Sequence, residues 1–360
     1  MFQAPSFIEL LRSTANNENG FLSALLIILV LGISLQLPFQ TVLICCCIGR
    51  RQWLARILNP AHFSKGSRWQ QLAEFVSLCL DRSWPAKSRL KSVKSPLRSY
   101  GNIKPFATGD LCDVSRARSD GRSFVLKVAR VAGCDALLDK EKLVLRHLHR
   151  ESEDNLYGEY FPWPEETFRF RGRQCSAFDL ADGYVPATEV ACRYPHGLDG
   201  RHIAWMFNRT LEALGFAHQC GWIHGAVLPP HLLFHPDTHG LRLIDWKHAE
   251  QLDRPLRIVP RGYQAWYPPE CHYHEPATPA TDIYLAAQSM LWLAGGDPLT
   301  GRMPEHLPPE VRSVLAECLE DSPRRRPQDA WELHARFRAL LEALYGPPQF
   351  CHLTLSSKTL

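Results

Sequence analysis

Apolar and polar positions divide the chain into stretches of different period. From Asn19 to Gly49 no residue is charged, and its centre, FLSALLIILVLGISL, is continuously apolar. A bilayer core needs roughly 20 such residues in a helix, so residues 20–49 are expected to form a single transmembrane helix after an amino-terminal segment, 1–19. Pro38, between Gln36 and Gln40, marks a kink or an end, because a helical proline loses a backbone bond. A cleaved signal peptide would need a basic start and a small-residue cleavage site, and neither is present. Further on, Trp69, Leu72, Phe75, Val76 and Leu80 recur at helical spacing within a connector spanning 50–98. Alternating runs then predict a small antiparallel sheet: two strands around a loop after Tyr100, a turn at Asp120-Gly121 and a third strand, FVLKV.

The period then lengthens. Leu137, Glu141, Val144, Leu145 and Leu148 share about one helical face, and Ile203, Phe207, Leu211, Leu214 and His218 mark a second helix that Gly221 ends. A hairpin follows, in which Leu232-Leu233-Phe234 and Leu241 to Ile244 flank a turn-rich 235–240 and the second strand closes on Asp245. Two amphipathic helices come last, one with Val311, Val314, Leu315, Cys318 and Leu319, the other with Trp331, Phe337, Leu340, Leu341 and Leu344. Gly346-Pro347-Pro348 stops the second, leaving a polar tail, 347–360, that is expected to be loose.

Composition changes this picture little. An apolar content of 45% and a charged content of 22% over 360 residues exclude a disordered chain and leave room for one large domain and an appendage. The net charge of +4 matters only through its placement, since Arg82, Lys87, Arg89, Lys91, Lys94 and Arg98 crowd the connector. Such a run serves as a solvated linker or as a contact for anionic lipid or nucleic acid. Arg50 and Arg51 follow the apolar stretch directly, so the positive-inside rule places the carboxy-terminal bulk in the cytoplasm. None of the 12 cysteines forms a CxxC pair, which fits reduced thiols and signals no zinc site. Cys45-Cys46-Cys47, at the inner boundary of the apolar stretch, could be acylated.

The most informative stretch is Gly221 to Trp246, GWIHGAVLPPHLLFHPDTHGLRLIDW. Together with the lysine strand VLKV and the order of the surrounding elements, it resembles the eukaryotic-like (Hanks-type) Ser/Thr protein kinase superfamily, as a divergent, pseudokinase-like member. The resemblance runs from about Tyr100 to Tyr345. It implies an α+β, two-lobed protein-kinase-like fold over 99–346, with a small β-rich amino-terminal lobe and a helical carboxy-terminal lobe, preceded by the transmembrane helix.

The resemblance also assigns roles. Lys127 matches the lysine that contacts the nucleotide's α- and β-phosphates, with Glu141 as its ion-pair partner, and Asp245 matches the metal-binding acid of Asp-Phe-Gly, here Asp245-Trp246-Lys247. Of the glycine-rich loop only Gly109 and Val114 remain, with Ala107 and Cys112 in place of the outer glycines. The catalytic-loop Asp, the base that accepts the substrate proton, is replaced by Ala226, and the preceding Arg by Gly225. His231 stands at the metal-binding Asn and is a poorer Mg²⁺ ligand than oxygen, though an imidazole can substitute as a base. Glu270 would pair with Arg326, and Asp282 would brace the catalytic-loop backbone.

The reading that follows is a membrane-anchored, single-pass protein whose cytoplasmic pseudokinase domain binds ATP and Mg²⁺ and acts as a signalling scaffold or sensor. Its expected partners are the lipid bilayer, ATP and an unknown protein, with no nucleic acid. The alternatives are a divergent active Ser/Thr kinase and a small-molecule phosphotransferase of the aminoglycoside-kinase type. Ala226 counts against both.

Overall fold

The computed structural model describes residues 92–355, apart from 110, 131–133, 171–172 and 261. All of these lie in the compact unit Lys87–Leu360. The chain begins there with strands β1 (Ser92–Lys94), β2 (Ser99–Thr108), β3 (Cys112–Ser119) and β4 (Arg122–Ala129), then helix α1 (Asp135–Glu151), then β5 (Pro164–Phe170) and β6 (Arg173–Asp179). The strands form one six-stranded sheet in the order β1-β2-β3-β4-β6-β5, every neighbouring pair antiparallel. The sheet starts at Ser92, inside the stretch expected to be connector.

Period-two alternation in β4 decides what the sheet offers to each side. Phe124 and Leu126 join Val93, Tyr100, Ala117, Phe168, Cys175 and Ala177 in a core of their own. Val125 and Lys127, on the opposite face, turn toward the rest of the molecule. Buried Glu166 is held from this outer core by the Tyr100 hydroxyl at 2.7 Å and the Ser95 hydroxyl at 2.6 Å. Helix α1 buries Leu138, Glu141, Val144, Leu145 and Leu148. Leu138 takes the buried place expected of Leu137, which is half-buried.

The remainder is mainly helical. A short strand β7 (Val185–Pro186) leads into α2 (Ala187–Arg193) and the long α3 (Gly200–Gln219), followed by β8 (Trp222–Ile223). The hairpin β9 (Leu232–His235) and β10 (Gly240–Leu243) comes next, and then β11 (Glu250–Gln251) and β12 (Arg254–Pro255). Helix α4 (Pro269–His272), strand β13 (Pro276–Ala277) and helices α5 (Pro279–Leu293), α6 (Pro309–Cys318) and α7 (Ala330–Tyr345) complete it. Asp199 caps α3 by accepting from the backbone N–H groups of Arg201 and His202, and Thr278 with Thr281 forms a capping box on α5. At Gly215 the lack of a side chain lets α3 meet α7, since a Cβ there would lie 2.7 Å from the Trp331 ring. The main core runs through both parts, from Val144, Leu145 and Leu148 of α1 to Phe207, Ile283 and Phe337.

Residues 350–353 are better anchored than the polarity of the tail suggests. Phe350 stacks on His239 at 4.0 Å, His239 bonds the Cys351 carbonyl at 2.6 Å, and Leu353 is buried.

One part of the expected fold class is corrected. Among the described residues no helix is long and apolar enough to cross a membrane, so a transmembrane helix ahead of the domain is not supported. The longest described helix, α3, has 20 residues, but it carries Arg201, Arg209, Glu212 and two histidines that a lipid-facing helix could not solvate. The expected span, 20–49, lies outside the described residues, as do the acylation site proposed at Cys45–Cys47 and the connector helix around Trp69. The architecture of the described residues is therefore mixed α+β, a six-stranded antiparallel sheet followed by a helical body.

Candidate functional site

Lys127 leaves the inner face of β4 and is buried, with 7% of its surface exposed. Its ammonium donates to Glu141 Oε1 at 2.6 Å and to Asp245 Oδ1 at 2.7 Å. Helix α1 delivers Glu141, and the turn after β10 delivers Asp245. Asp245 adopts left-handed backbone (φ 76°), a conformation that Asp tolerates better than most residues. Burial of Lys127 favours its neutral form, but Asp245 and Glu141 outweigh that effect and raise its pKa.

The other carboxylate oxygen, Asp245 Oδ2, is the more crowded. Lys247 Nζ donates to it, His231 Nε2 lies 3.1 Å away and His248 Nε2 3.5 Å. Burial alone would raise the Asp245 pKa, yet Lys127, Lys247 and His231 hold it well below the usual carboxylate range. Burial dominates at His248, lowering its pKa despite its bond to Asp245. Glu141 Oε2 is buried without a hydrogen-bond partner among the described residues.

Below Asp245 lies the loop that follows β8. Ala226 is fully buried, and its carbonyl accepts from His231 Nδ1 at 2.8 Å. Both ring nitrogens of His231 thus face oxygens, Nδ1 that of Ala226 and Nε2 that of Asp245. His224 donates through Nε2 to the Ile244 carbonyl at 3.0 Å and accepts the Ala226 N–H at Nδ1. That pairing needs a neutral ring, and burial pushes its pKa down to about 3.

Asp282, on α5, accepts the backbone N–H groups of His224 at 2.7 Å and Gly225 at 2.8 Å, with His218 Nε2 at 3.0 Å. Tyr267 donates its hydroxyl to the Gly225 carbonyl, and Arg326 grips both oxygens of Glu270 at 2.6 and 3.0 Å. The bonds from Asp282 and Tyr267 hold the loop backbone from two sides.

Sequence reasoning thus named residues that the structure brings together: Lys127, Glu141, Asp245 and His231 form one bonded cluster, with Ala226 joined through its carbonyl. Val114 sits on the adjoining hairpin as the cross-strand partner of Lys127. Gly109 lies at the tip of that hairpin, where its N–H reaches the Cys112 carbonyl at 3.1 Å. Cys112 points into a small core with Ala129, Cys134 and Leu138, and burial pushes its thiol up to about 12. Missed from the sequence were Lys247 and His248. The signal was a lysine two residues after the acid, where the resembling motif has glycine.

A divalent ion fits this donor set poorly. Mg²⁺ requires near-octahedral oxygen ligands at about 2.0–2.1 Å, usually one or two carboxylates plus phosphates and waters. Here both Asp245 oxygens are taken by cations or N–H donors, and the Asn-equivalent position supplies an imidazole. An ion 4 Å from one ammonium would be repelled by about 8 kcal/mol at an effective dielectric of 20, twice the figure for unit charges.

No protein-family profile matches the chain. Among curated proteins it is 25% identical over 239 residues to serine/threonine-protein kinase PknF of Mycobacterium tuberculosis, covering 64% of this chain and 48% of that protein. It is 28% identical over 171 residues to serine/threonine-protein kinase F of Synechocystis sp., covering 45% of this chain and 34% of that one. The chain spans about half the length of the first of these relatives and a third of the second. The similarity is low and partial, but it falls on kinases in both cases, and it relates the chain to the protein kinase superfamily.

Proposed function

We propose that this chain is a pseudokinase: a protein-kinase-like module that holds an adenine nucleotide beside Lys127 and serves a protein partner as a scaffold or sensor, without transferring phosphate efficiently. The observation that carries this reading is Ala226, fully buried at the position where related kinases would need a carboxylate base, while Lys127, Glu141 and Asp245 stay assembled. A positioned general base contributes about 10² to 10⁴ in rate, and His231, with both nitrogens engaged, does not replace it. The brace on the loop, in contrast, keeps its buried Asp282, so the loop backbone stays held without the base. ATP should raise the melting temperature of the full chain, and Lys127→Ala should abolish the shift. A wild-type chain whose melting is indifferent to ATP would end the nucleotide-binding part of this reading.

The names of its relatives favour a second reading, a divergent active Ser/Thr kinase. Labelled phosphate transfer to a protein acceptor, lost in Asp245→Ala, would place that reading first.

A further inference from the structure

Asp245 is the carboxylate to which a kinase-like cleft would look for metal binding, and Lys247 occupies the oxygen that Lys127 leaves. Lys247 lies two positions downstream on the 3-10 turn Trp246–His248, is 5% exposed, and donates its ammonium to Asp245 Oδ2. The placement is built in. Trp246 is fully buried, bonds the Leu243 carbonyl at 2.8 Å, and packs edge-on against His224 at 4.6 Å and Phe161 at 5.3 Å, so the turn carrying Lys247 cannot easily swing away. Lys127 holds Oδ1, and His231 and His248 face Oδ2 with Lys247. No oxygen of Asp245 is left unengaged.

We propose that the Lys247 ammonium stands in place of the divalent ion, so that Asp245 binds no metal and the cleft accepts polyphosphate as the metal-free anion. Lys247 adds one positive charge beside that of Lys127, on the carboxylate that would otherwise hold the ion. Lysine suits this use because its ammonium is a compact point charge on a flexible stem. The ligand class is a nucleoside polyphosphate without Mg²⁺. That half of the inference rests on the cleft being a nucleotide site; the exclusion of metal does not.

The test uses the full chain and takes the two halves separately. Manganese ion alone is titrated in, and the free-ion signal is followed by electron paramagnetic resonance. The wild type should leave that signal unchanged, whereas Lys247→Ala should gain one bound ion, lost again when Asp245→Asn is added. Manganese bound by the wild type and released by Asp245→Asn overturns the proposal, as does a folded Lys247→Ala that gains no ion. If Lys247→Ala does not fold, the wild-type titration still decides. In the second arm, trinitrophenyl-ATP should bind the wild type equally well with EDTA or with Mg²⁺, while Mg²⁺ should tighten its binding to Lys247→Ala by about tenfold or more. Wild-type binding abolished by EDTA overturns the metal-free half. Loss of nucleotide binding under both conditions overturns the cleft reading and leaves the manganese arm to judge Lys247.

Discussion

Two buried carboxylates in this molecule are held in different ways. Glu270 relies on one cation: Arg326 bonds both its oxygens, neither partner is appreciably exposed, and the Thr281 hydroxyl adds a neutral donor at 3.1 Å. Asp245 has two ammonium groups and two imidazoles around it. The first arrangement is a brace with no second cation. The second is redundant, and redundancy around a would-be metal ligand suits a site whose charge is balanced from within.

That difference can be broken at either end. The largest effect should come from Arg326→Ala, which leaves Glu270 buried with no opposing charge and should cost about 3–5 kcal/mol of unfolding free energy in a denaturant titration. A loss below 1 kcal/mol would mean that the brace carries no more than a surface pair, whose median worth is about 0–1 kcal/mol.

Next is the acid response of His224. Its folded pKa of about 3 lies below the ordinary histidine value, so between the two the unfolded chain holds a proton that the folded chain lacks. Stability from this group is complete above about pH 6.5 and falls as pH drops toward 3, by up to about 1.4 kcal/mol per unit. His224→Asn should flatten the stability profile below neutrality relative to wild type. Parallel profiles would show that the ring does not stay neutral in the fold.

The smallest effect should be Lys247→Ala, about 1.5–3 kcal/mol, the worth of one hydrogen bond to a charged group, because Lys127 and His231 remain on Asp245. A cost as large as that of Arg326→Ala would dissolve the contrast and make Lys247 a structural brace.

Much of this was legible in the residues. Alternation in FVLKV put Lys127 on the face opposite Phe124 and Leu126, and helical spacing put Glu141 on the buried side of α1, so their 2.6 Å contact follows from two short-range patterns and a shared order of motifs. The loss of a carboxylate at Ala226 is visible from the letter alone. Less legible was Leu138 replacing Leu137, because one position on a helix is a rotation of only about 100° and tertiary packing selects the face. The docked tail around Phe350 escaped as well, since its partner His239 lies far away in sequence and nothing local announces the stack.

What the amino-acid order determined by itself was periodicity: which strands alternate, which helices have an apolar face, where glycine and proline interrupt them, and which chemical groups are present or missing. Local physics suffices there, since each signal spans only a few residues. Tertiary structure alone decided the use of Asp245. Its four partners come from β4, from the 3-10 turn Pro229–His231 and from its own turn, and whether a carboxylate greets a metal or an ammonium depends on which cation arrives within about 3 Å when those elements pack.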